Sequence, residues 1–192
     1  MKYKPKNSSI IILVIFFVLI ISFIFDKTIL NFVVTHRIHF LDVFMVLINV
    51  SLSEIALFLL LTLLFFYIKD LRKHIPLLWL SMLLALIISA LLKILVERQR
   101  PDVSTLIAVS SFSFPSGHTT VAFSAVPLIQ RVFKKLKWFW ISLAIIIALS
   151  RVYVGVHYLS DILAGGIIGY VTGYSALKLY SKFLKNKNNL SI

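Results

Sequence analysis

Six long apolar stretches constrain this chain more than any other feature of its sequence. Each approaches the length that an α-helix needs to cross a hydrocarbon core about 30 Å thick. They cover residues 8–25, 47–68, 76–96, 117–134, 138–155 and 157–179. A soluble domain of 192 residues would not carry such stretches, and 60% of the residues are hydrophobic. The sequence therefore predicts an all-α, polytopic membrane protein with six transmembrane helices.

The remaining segments complete one membrane-embedded domain that covers residues 1–192. The first stretch lacks a small-residue cleavage site, so we expect a retained helix rather than a cleaved signal peptide. Residues 26–46 mix apolar and charged side chains, which favours an interfacial helix between the first and second spans. Because the chain has no cysteine, it has no disulfide and no thiolate metal site.

Most of the positive charge falls on one side of the predicted membrane. The formal net charge is +13, but the basic residues form short clusters between apolar stretches, which does not suit a nucleic-acid-binding face. If all six stretches cross and the N-terminus is cytoplasmic, 14 of the 20 Lys and Arg residues lie inside. Cytoplasmic loops favour these residues. We therefore predict a multi-pass cell-membrane protein with both termini in the cytoplasm.

Three predicted helices have faces of small residues that lead to ionisable side chains. Small residues at every fourth position allow helices to pack closely in lipid. Charges at the ends of such faces are functional candidates because burying them is costly. The faces are Ser81, Ala85 and Ser89 before Lys93; Ala144 and Ala148 before Arg151; and Gly165, Gly169 and Gly173 after His157 and Asp161. All three reach the outer side of the membrane in the predicted orientation.

Cationic side chains are concentrated at these predicted outer helix ends. Lys93 and Arg100 are seven residues apart, which is two helical turns, so both can point toward one anion before Pro101 ends the helix. Arg151 adds a planar donor fork that suits phosphate. Gly155 allows the chain to turn between the fifth and sixth spans. The spacing predicts an anion-binding pocket at the outer face.

Two histidines lie beside this predicted pocket. The PSGH sequence at residues 115–118 predicts a turn before a helix, whose free N–H groups suit a phosphate oxygen. Ser116 adds a hydroxyl, and His118 falls in the first helical turn. His157 and Asp161 are four residues apart, so on a helix they share one face. The carboxylate can then orient the imidazole as a nucleophile.

Together these residues resemble the type 2 phosphatidic acid phosphatase superfamily, also called lipid phosphate phosphatases. The signature of that family is KxxxxxxRP, then PSGH, then SRxxxxxHxxxD. Bacterial undecaprenyl-diphosphate phosphatases and phosphatidylglycerophosphatases of this size are the most similar members. The chain has every fixed position of the signature between residues 93 and 161: Lys93, Arg100, Pro101, Pro115, Ser116, Gly117, His118, Ser150, Arg151, His157 and Asp161.

The resemblance implies an enzyme that hydrolyses lipid phosphates or diphosphates at the outer membrane face. His157 would attack phosphorus and form a phosphohistidine, and Asp161 would orient it. His118 would protonate the leaving oxygen and then activate water. No metal and no cofactor is implied, because side chains supply the cations. The phosphate-binding groups would be Lys93, Arg100, Ser116, Arg151 and the backbone of Gly117.

The sequence leaves other functions open. A non-hydrolytic lipid transporter or scramblase would use the cations alone, so the complete set of His118, His157 and Asp161 argues against it. Vanadate-binding haloperoxidases share the pocket but are soluble. A phosphotransferase to a lipid or alcohol cannot be separated from a hydrolase. The expected partners are membrane lipids and a lipid phosphate substrate: undecaprenyl diphosphate, phosphatidylglycerophosphate or phosphatidic acid. The sequence does not specify an oligomeric state.

Overall fold

Seven α-helices account for most of the described chain. The computed structural model describes residues 8–189, which contain no β-strand. The all-α prediction is therefore confirmed. The helices are α1 (Ser8–Thr35), α2 (His39–Ser51), α3 (Glu54–Tyr67), α4 (Ile75–Val96), α5 (Gly117–Val132), α6 (Lys137–Tyr153) and α7 (Leu159–Asn189). Short 3₁₀-helices at Lys69–His74 and Lys134–Leu136 precede α4 and α6.

The first helix continues well beyond the end that the sequence predicts. α1 runs to Thr35, so the prediction that the span ends at residue 25 is wrong. Asp26 is the reason, because its carboxylate is buried and accepts hydrogen bonds from Arg98 Nη2 at 2.8 Å and from the Ser160 backbone N–H at 2.9 Å. A carboxylate paired inside the bundle does not have to end a helix at the membrane surface.

The second predicted span is two helices rather than one. α2 and α3 meet at a bend of 66°, where Ser53 caps α3 by accepting the Ala56 N–H at 3.4 Å. A serine at this position favours a new helix start. The predicted interfacial segment at residues 26–46 is therefore divided between the end of α1 and most of α2.

Helix length alone does not confirm six membrane crossings. Within residues 8–189, four helical segments are long and apolar enough to span a membrane, or five if the bent α2–α3 pair counts as one span. α5 fails this test because its 16 residues extend only about 24 Å. It is nevertheless the most enclosed helix, with buried residues on every face between α4, α6 and α7. A helix surrounded by protein does not have to match the thickness of the lipid.

The glycine face of α7 packs directly against α5, as the small-residue spacing predicts. A Cβ atom added to Gly165, Gly169 or Gly173 would lie closer than 3.0 Å to a backbone carbonyl oxygen of the facing chain. The facing residues are Ser116, Thr120 and Ser124, which are also spaced by four. Successive turns of the two helices therefore pair in the same direction. This parallel packing places both N-termini at one end of the bundle.

Candidate active site

The PSGH and HxxxD segments meet at the paired N-termini of α5 and α7. The Ser116 backbone N–H donates to the Asp161 carbonyl oxygen at 3.1 Å. α4 and α6 pack against α5 and present Lys93 and Arg151 from their last turns. The fold thus brings together segments that are separated by dozens of residues in the sequence.

His157 lies just before α7 rather than on it. Gly155 has a φ of 85°, which is the turn that the sequence predicts, and α7 begins only at Leu159. The expectation that His157 and Asp161 share one helix is therefore wrong, although the two side chains still meet. His157 Nδ1 lies 3.4 Å from Asp161 Oδ2. The contact between His157 and Asp161 depends on both the turn at Gly155 and the first residues of α7.

Asp161 is held in place by the start of its own helix. It occupies the third helical position, and its Oδ2 accepts the Tyr158 backbone N–H at 2.9 Å. A carboxylate at this position that reaches back to the capping residue forms half of a capping box. The carboxylate is fully buried. The hydrogen bond from Tyr158 therefore fixes Oδ2, the oxygen that faces His157.

The surroundings of His157 favour its neutral form. The ring is 2% exposed, and burial lowers its pKa well below the usual 6.5. The positive charges of Arg151, Arg100, Lys93 and His118 lower that pKa further. His157 Nε2 lies 3.3 Å from Arg100 Nη1. With Nδ1 facing a carboxylate, Nε2 carries the lone pair of the ring, which faces the cationic side of the site and lies within reach of the Arg100 donor.

Lys93 and Arg100 reach the site from different elements. α4 ends at Val96, where Glu97 adopts a left-handed conformation with a φ of 49°. The prediction that Lys93 and Arg100 share a helical face up to Pro101 is therefore wrong. Lys93 Nζ donates to the Phe112 carbonyl oxygen at 2.6 Å.

The guanidinium of Arg100 bridges two connections of the chain. Its Nη1 donates to the Val156 carbonyl oxygen at 2.6 Å, and its Nε donates to the Ser111 carbonyl oxygen at 2.5 Å. Arg100 therefore ties the α4–α5 connection to the segment that carries His157. The two predicted cations flank the same part of the α4–α5 connection.

Arg151 and PSGH complete the group of predicted residues. Arg151 is buried and donates from Nη1 to Asn49 Oδ1 of α2, while its Nε has no hydrogen-bond partner among residues 8–189. A buried donor without a partner suits an anion. The buried Ser116 hydroxyl accepts from Thr119 Oγ1 at 3.1 Å. Gly117 begins α5 and His118 follows in its first turn, as predicted.

The structure adds Arg98 to this group, which sequence reasoning missed. Arg98 Nη1 donates to Asp161 Oδ1 at 2.6 Å and to Ser160 Oγ at 2.7 Å, while Nη2 pairs with Asp26. Its guanidinium also lies 4.2 Å from the centre of the Tyr158 ring. The available signal was Asp26 itself, since an acid inside an apolar stretch requires a partner.

A second missed residue is Glu54, the first residue of α3. Its Oε1 lies 2.9 Å from His118 Nδ1. The two residues are 64 positions apart, so no local spacing could predict this contact. The signal in the sequence was again a lone acid within a predicted span. The site therefore contains two histidine–carboxylate pairs, one formed near a helix start and one formed between helices.

Comparisons with known proteins point to one family. The model of the PAP2 superfamily matches residues 75–185, more than half of the chain. Phosphatidylglycerophosphatase B of Bacillus subtilis is 37% identical over 94 residues, which cover 43% of this chain and 46% of that protein. The undecaprenyl-diphosphatase of Sulfolobus acidocaldarius is 31% identical over 38% of this chain and 35% of that protein. The matches thus span less than half the length of these relatives.

A solved structure extends the likeness over nearly the whole fold. The PAP2-type phosphatidylglycerolphosphate phosphatase of Bacillus subtilis superposes with a TM-score of 0.73. The superposition covers 88% of this chain and 96% of that one, at 24% sequence identity. At this identity the likeness concerns the fold.

Proposed function

Since this chain belongs to the PAP2 superfamily, we propose that it is a membrane phosphatase that hydrolyses lipid phosphates or diphosphates. The observation that carries the proposal is the setting of His157. A buried, neutral imidazole has one nitrogen beside Asp161 and the other among cationic side chains. Simple binding of an anionic head group requires the cations but not the oriented imidazole.

His157 Nε2 attacks phosphorus in the first chemical step. Its lone pair forms the P–N bond, and the bond from phosphorus to the leaving oxygen breaks. His118 Nε2 gives its proton to that oxygen. Water then attacks phosphorus and transfers a proton to His118, while the P–N electron pair returns to His157. Two in-line displacements thus yield phosphate and the dephosphorylated lipid without a change in the enzyme.

The cationic groups stabilise the charge on the three equatorial oxygens of the transferred phosphoryl group. Lys93, Arg100 and Arg151 lie near enough to His157 for their charges to lower its pKa, so each can act on an anion bound there. Ser116 and the Gly117 N–H at the start of α5 add neutral donors. Stabilising this charge and positioning the phosphoryl group are the main contributions a protein can make to phosphoryl transfer.

An apolar groove beside the site favours a substrate with a hydrocarbon tail. The groove has a volume of about 200 Å³ and begins at Glu54, the residue that contacts His118. The rest of its lining comes from α3, α4 and α5: Ile55, Phe58, Leu59, Met82, Leu83, Leu86 and Val121. A lipid phosphate can place its head group at His157 and its tail along these residues.

The helix directions support six crossings with the site at the outer face. Glu54 at the start of α3 and Asp26 in α1 both contact site residues, so α1 ends and α3 begins at the site end. The 3₁₀-helices that contain Lys69, Arg72, Lys73, Lys134 and Lys135 follow α3 and α5 at the opposite end. α1 and α3 to α7 then each cross once, with α2 in the interface. The basic residues at the opposite end favour a cytoplasmic location for that end and for both termini.

Phosphate release by purified protein in detergent micelles tests the proposed function. The panel contains undecaprenyl diphosphate, phosphatidylglycerophosphate, phosphatidic acid and the soluble ester 4-nitrophenyl phosphate. We expect release from at least one lipid, and faster release from lipids than from the soluble ester. Binding of these lipids without any phosphate release would contradict the proposal and indicate a transporter or scramblase.

A further inference from the structure

Glu54 approaches the proposed general acid from a separate helix. Its Oε1 lies 2.9 Å from His118 Nδ1, and the side chains of Glu54 and His118 are 32% and 15% exposed. The distance between the two atoms is that of a hydrogen bond, and the partial exposure of both side chains means that water partly screens it. The contact brings a carboxylate to the nitrogen of His118 that does not take part in the proposed proton transfers.

The local structure favours a negative charge on Glu54. It is the first residue of α3, directly after the capping Ser53, and helix N-termini stabilise anions. The positive charges that act on Glu54 are those of His118, Arg151 and Lys93, so α4, α5 and α6 each contribute one. A carboxylate in this position balances part of the positive charge that collects around the phosphate site.

Gly117 provides the space that the carboxylate occupies. A Cβ atom at Gly117 would lie 2.5 Å from Glu54 Oε1, closer than real Cβ atoms approach a neighbouring oxygen. A residue with a side chain at this position would displace either the carboxylate or the start of α5. The glycine of PSGH therefore allows Glu54 to reach His118, in addition to exposing its own backbone N–H.

We propose that Glu54 is a positioning residue that fixes the acid–base role of His118; this rests on the proposed function. The carboxylate accepts the proton on Nδ1, which leaves Nε2 as the nitrogen that exchanges protons with the leaving oxygen and with water. It also stabilises the positive ring that exists before the first proton transfer and after the second. Glu54 orients His118 through Nδ1, as Asp161 orients His157. Glu54 touches no reacting atom.

Two consequences separate this role from a merely structural one. Because the role depends on the carboxylate charge at His118 Nδ1, Glu54→Asp should retain more activity than Glu54→Gln. Proton donation also matters more for a poor leaving group than for a good one. An alkoxide, as in phosphatidic acid, therefore depends on Glu54 more than the lipid phosphate that leaves from a prenyl diphosphate.

The test compares Glu54→Gln, Glu54→Asp and wild-type protein in micelles. We expect Glu54→Gln to lower kcat for phosphatidic acid by about 10- to 100-fold, and for a prenyl diphosphate by several-fold less. KM is expected to change less than kcat, because glutamine keeps the size of the side chain where Glu54 lines the apolar groove. Glu54→Asp retains the charge and restores part of the lost kcat. Glu97→Gln makes the same chemical change at an exposed position and is expected to match wild type.

The outcomes are separable from failure of the proposed function. If wild-type protein releases phosphate from none of the lipids in the panel, the proposed function fails and the acid–base role of Glu54 fails with it. An active wild type whose relative rates for the two lipids are unchanged in a folded Glu54→Gln variant would overturn the role of Glu54. Equal losses on both lipids at every pH, with a lowered melting temperature, would also overturn it and would indicate a structural contact.

Discussion

The two histidine–carboxylate pairs use the same chemical groups in opposite electrostatic settings. Asp161 is fully buried and shared between His157, Arg98 and the Tyr158 N–H. Glu54 is partly exposed and contacts His118 at the shorter distance, 2.9 Å against 3.4 Å. The arginine next to Asp161 removes much of the stabilisation that its carboxylate could give to a charged His157. Glu54 keeps that stabilisation available to His118.

This difference suits the two proposed roles. The attacking ring must be neutral, and His157 is buried among cations that keep its pKa low. The ring that donates a proton must be charged, and His118 has a carboxylate for that purpose. Environments that separate the protonation states of two neighbouring groups define an acid and a base in many enzymes. Substitutions in the two pairs should therefore have different effects on activity and on its pH dependence.

Replacing the proposed nucleophile has the largest expected effect. His157→Ala removes the attacking nitrogen, so we expect turnover to fall by about 10⁴-fold or more, with no acid-labile phosphoenzyme after rapid quench. His39→Ala, at an exposed histidine outside the site, is the matched control and is expected to retain activity. Substantial hydrolysis by His157→Ala would show that His157 is not the nucleophile and would contradict the different roles proposed for the two pairs.

Replacing the proposed acid should slow the reaction without removing the nucleophile. We expect His118→Ala to lower kcat for phosphatidic acid by about 10²- to 10⁴-fold. The substrate most able to show a trapped phosphoenzyme is a prenyl diphosphate, because its leaving group needs little protonation. Rapid-quench labelling measures that intermediate. Unchanged kcat for both substrates would contradict the assignment of His118.

The pH profile tests the part of the comparison that involves Arg98. His157 must be neutral to attack, so activity falls as the pH drops through its pKa. Because burial and nearby cations lower that pKa, we expect kcat/KM of the wild type to decline only below about pH 6.5. Arg98→Gln removes the cation that is paired with Asp161, so the carboxylate stabilises a charged His157 more, which raises the pKa of His157 and moves the acid limb to higher pH.

Arg131→Gln provides the control for Arg98→Gln. Arg131 is exposed near the end of α5, away from its N-terminus, so its loss should leave the acid limb in place. An acid limb that does not move in Arg98→Gln would show that Arg98 does not govern the charge state of His157.

The smallest expected effect on activity concerns the packing that holds both pairs at one end of the bundle. A Cβ atom at Gly169 would collide with the Thr120 carbonyl oxygen, whereas one at Gly166 would lie 3.7 Å from the Phe123 ring, an ordinary contact. We expect Gly169→Ala to cost about 1–3 kcal/mol of stability and to lower kcat severalfold. Gly166→Ala should do neither. Thermal unfolding in detergent compares the two variants, and equal melting temperatures would contradict the expected close packing.

The sequence predicted the helical class and several local features of the site, although not the helix ends at Val96 and Leu159. The spacing of Gly165, Gly169 and Gly173 indicated a packed face, and the structure places it against α5. The turn at Gly155 and the position of His118 also follow from short-range rules for glycine and for helix starts. These features depend on residues within about one or two helical turns of each other, which a linear pattern records.

What the sequence could not specify are contacts between distant segments. Asp26 appeared to end a span because its partner lies 72 residues away, and Glu54 appeared as an isolated acid because His118 lies 64 residues away. The helix that contains Lys93 ends before Arg100 because Glu97 turns the chain, which no glycine or proline at that position announces. For Asp26 and Glu54, tertiary contacts outweigh the local preference of the sequence.

The ion pair between Asp26 and Arg98 also sets an order of events during biosynthesis. Most of α1 exposes large apolar side chains, so it can enter the lipid as soon as it emerges. Its Asp26 must then wait until the chain beyond α4 has been made before it meets its counter-charge. A lone acid within a span costs about 2.5–3.5 kcal/mol when the translocon inserts it. Until Arg98 has been made, the inserted first helix carries this cost, so we expect a chain truncated before residue 98 to hold α1 in the membrane less stably than the full chain does.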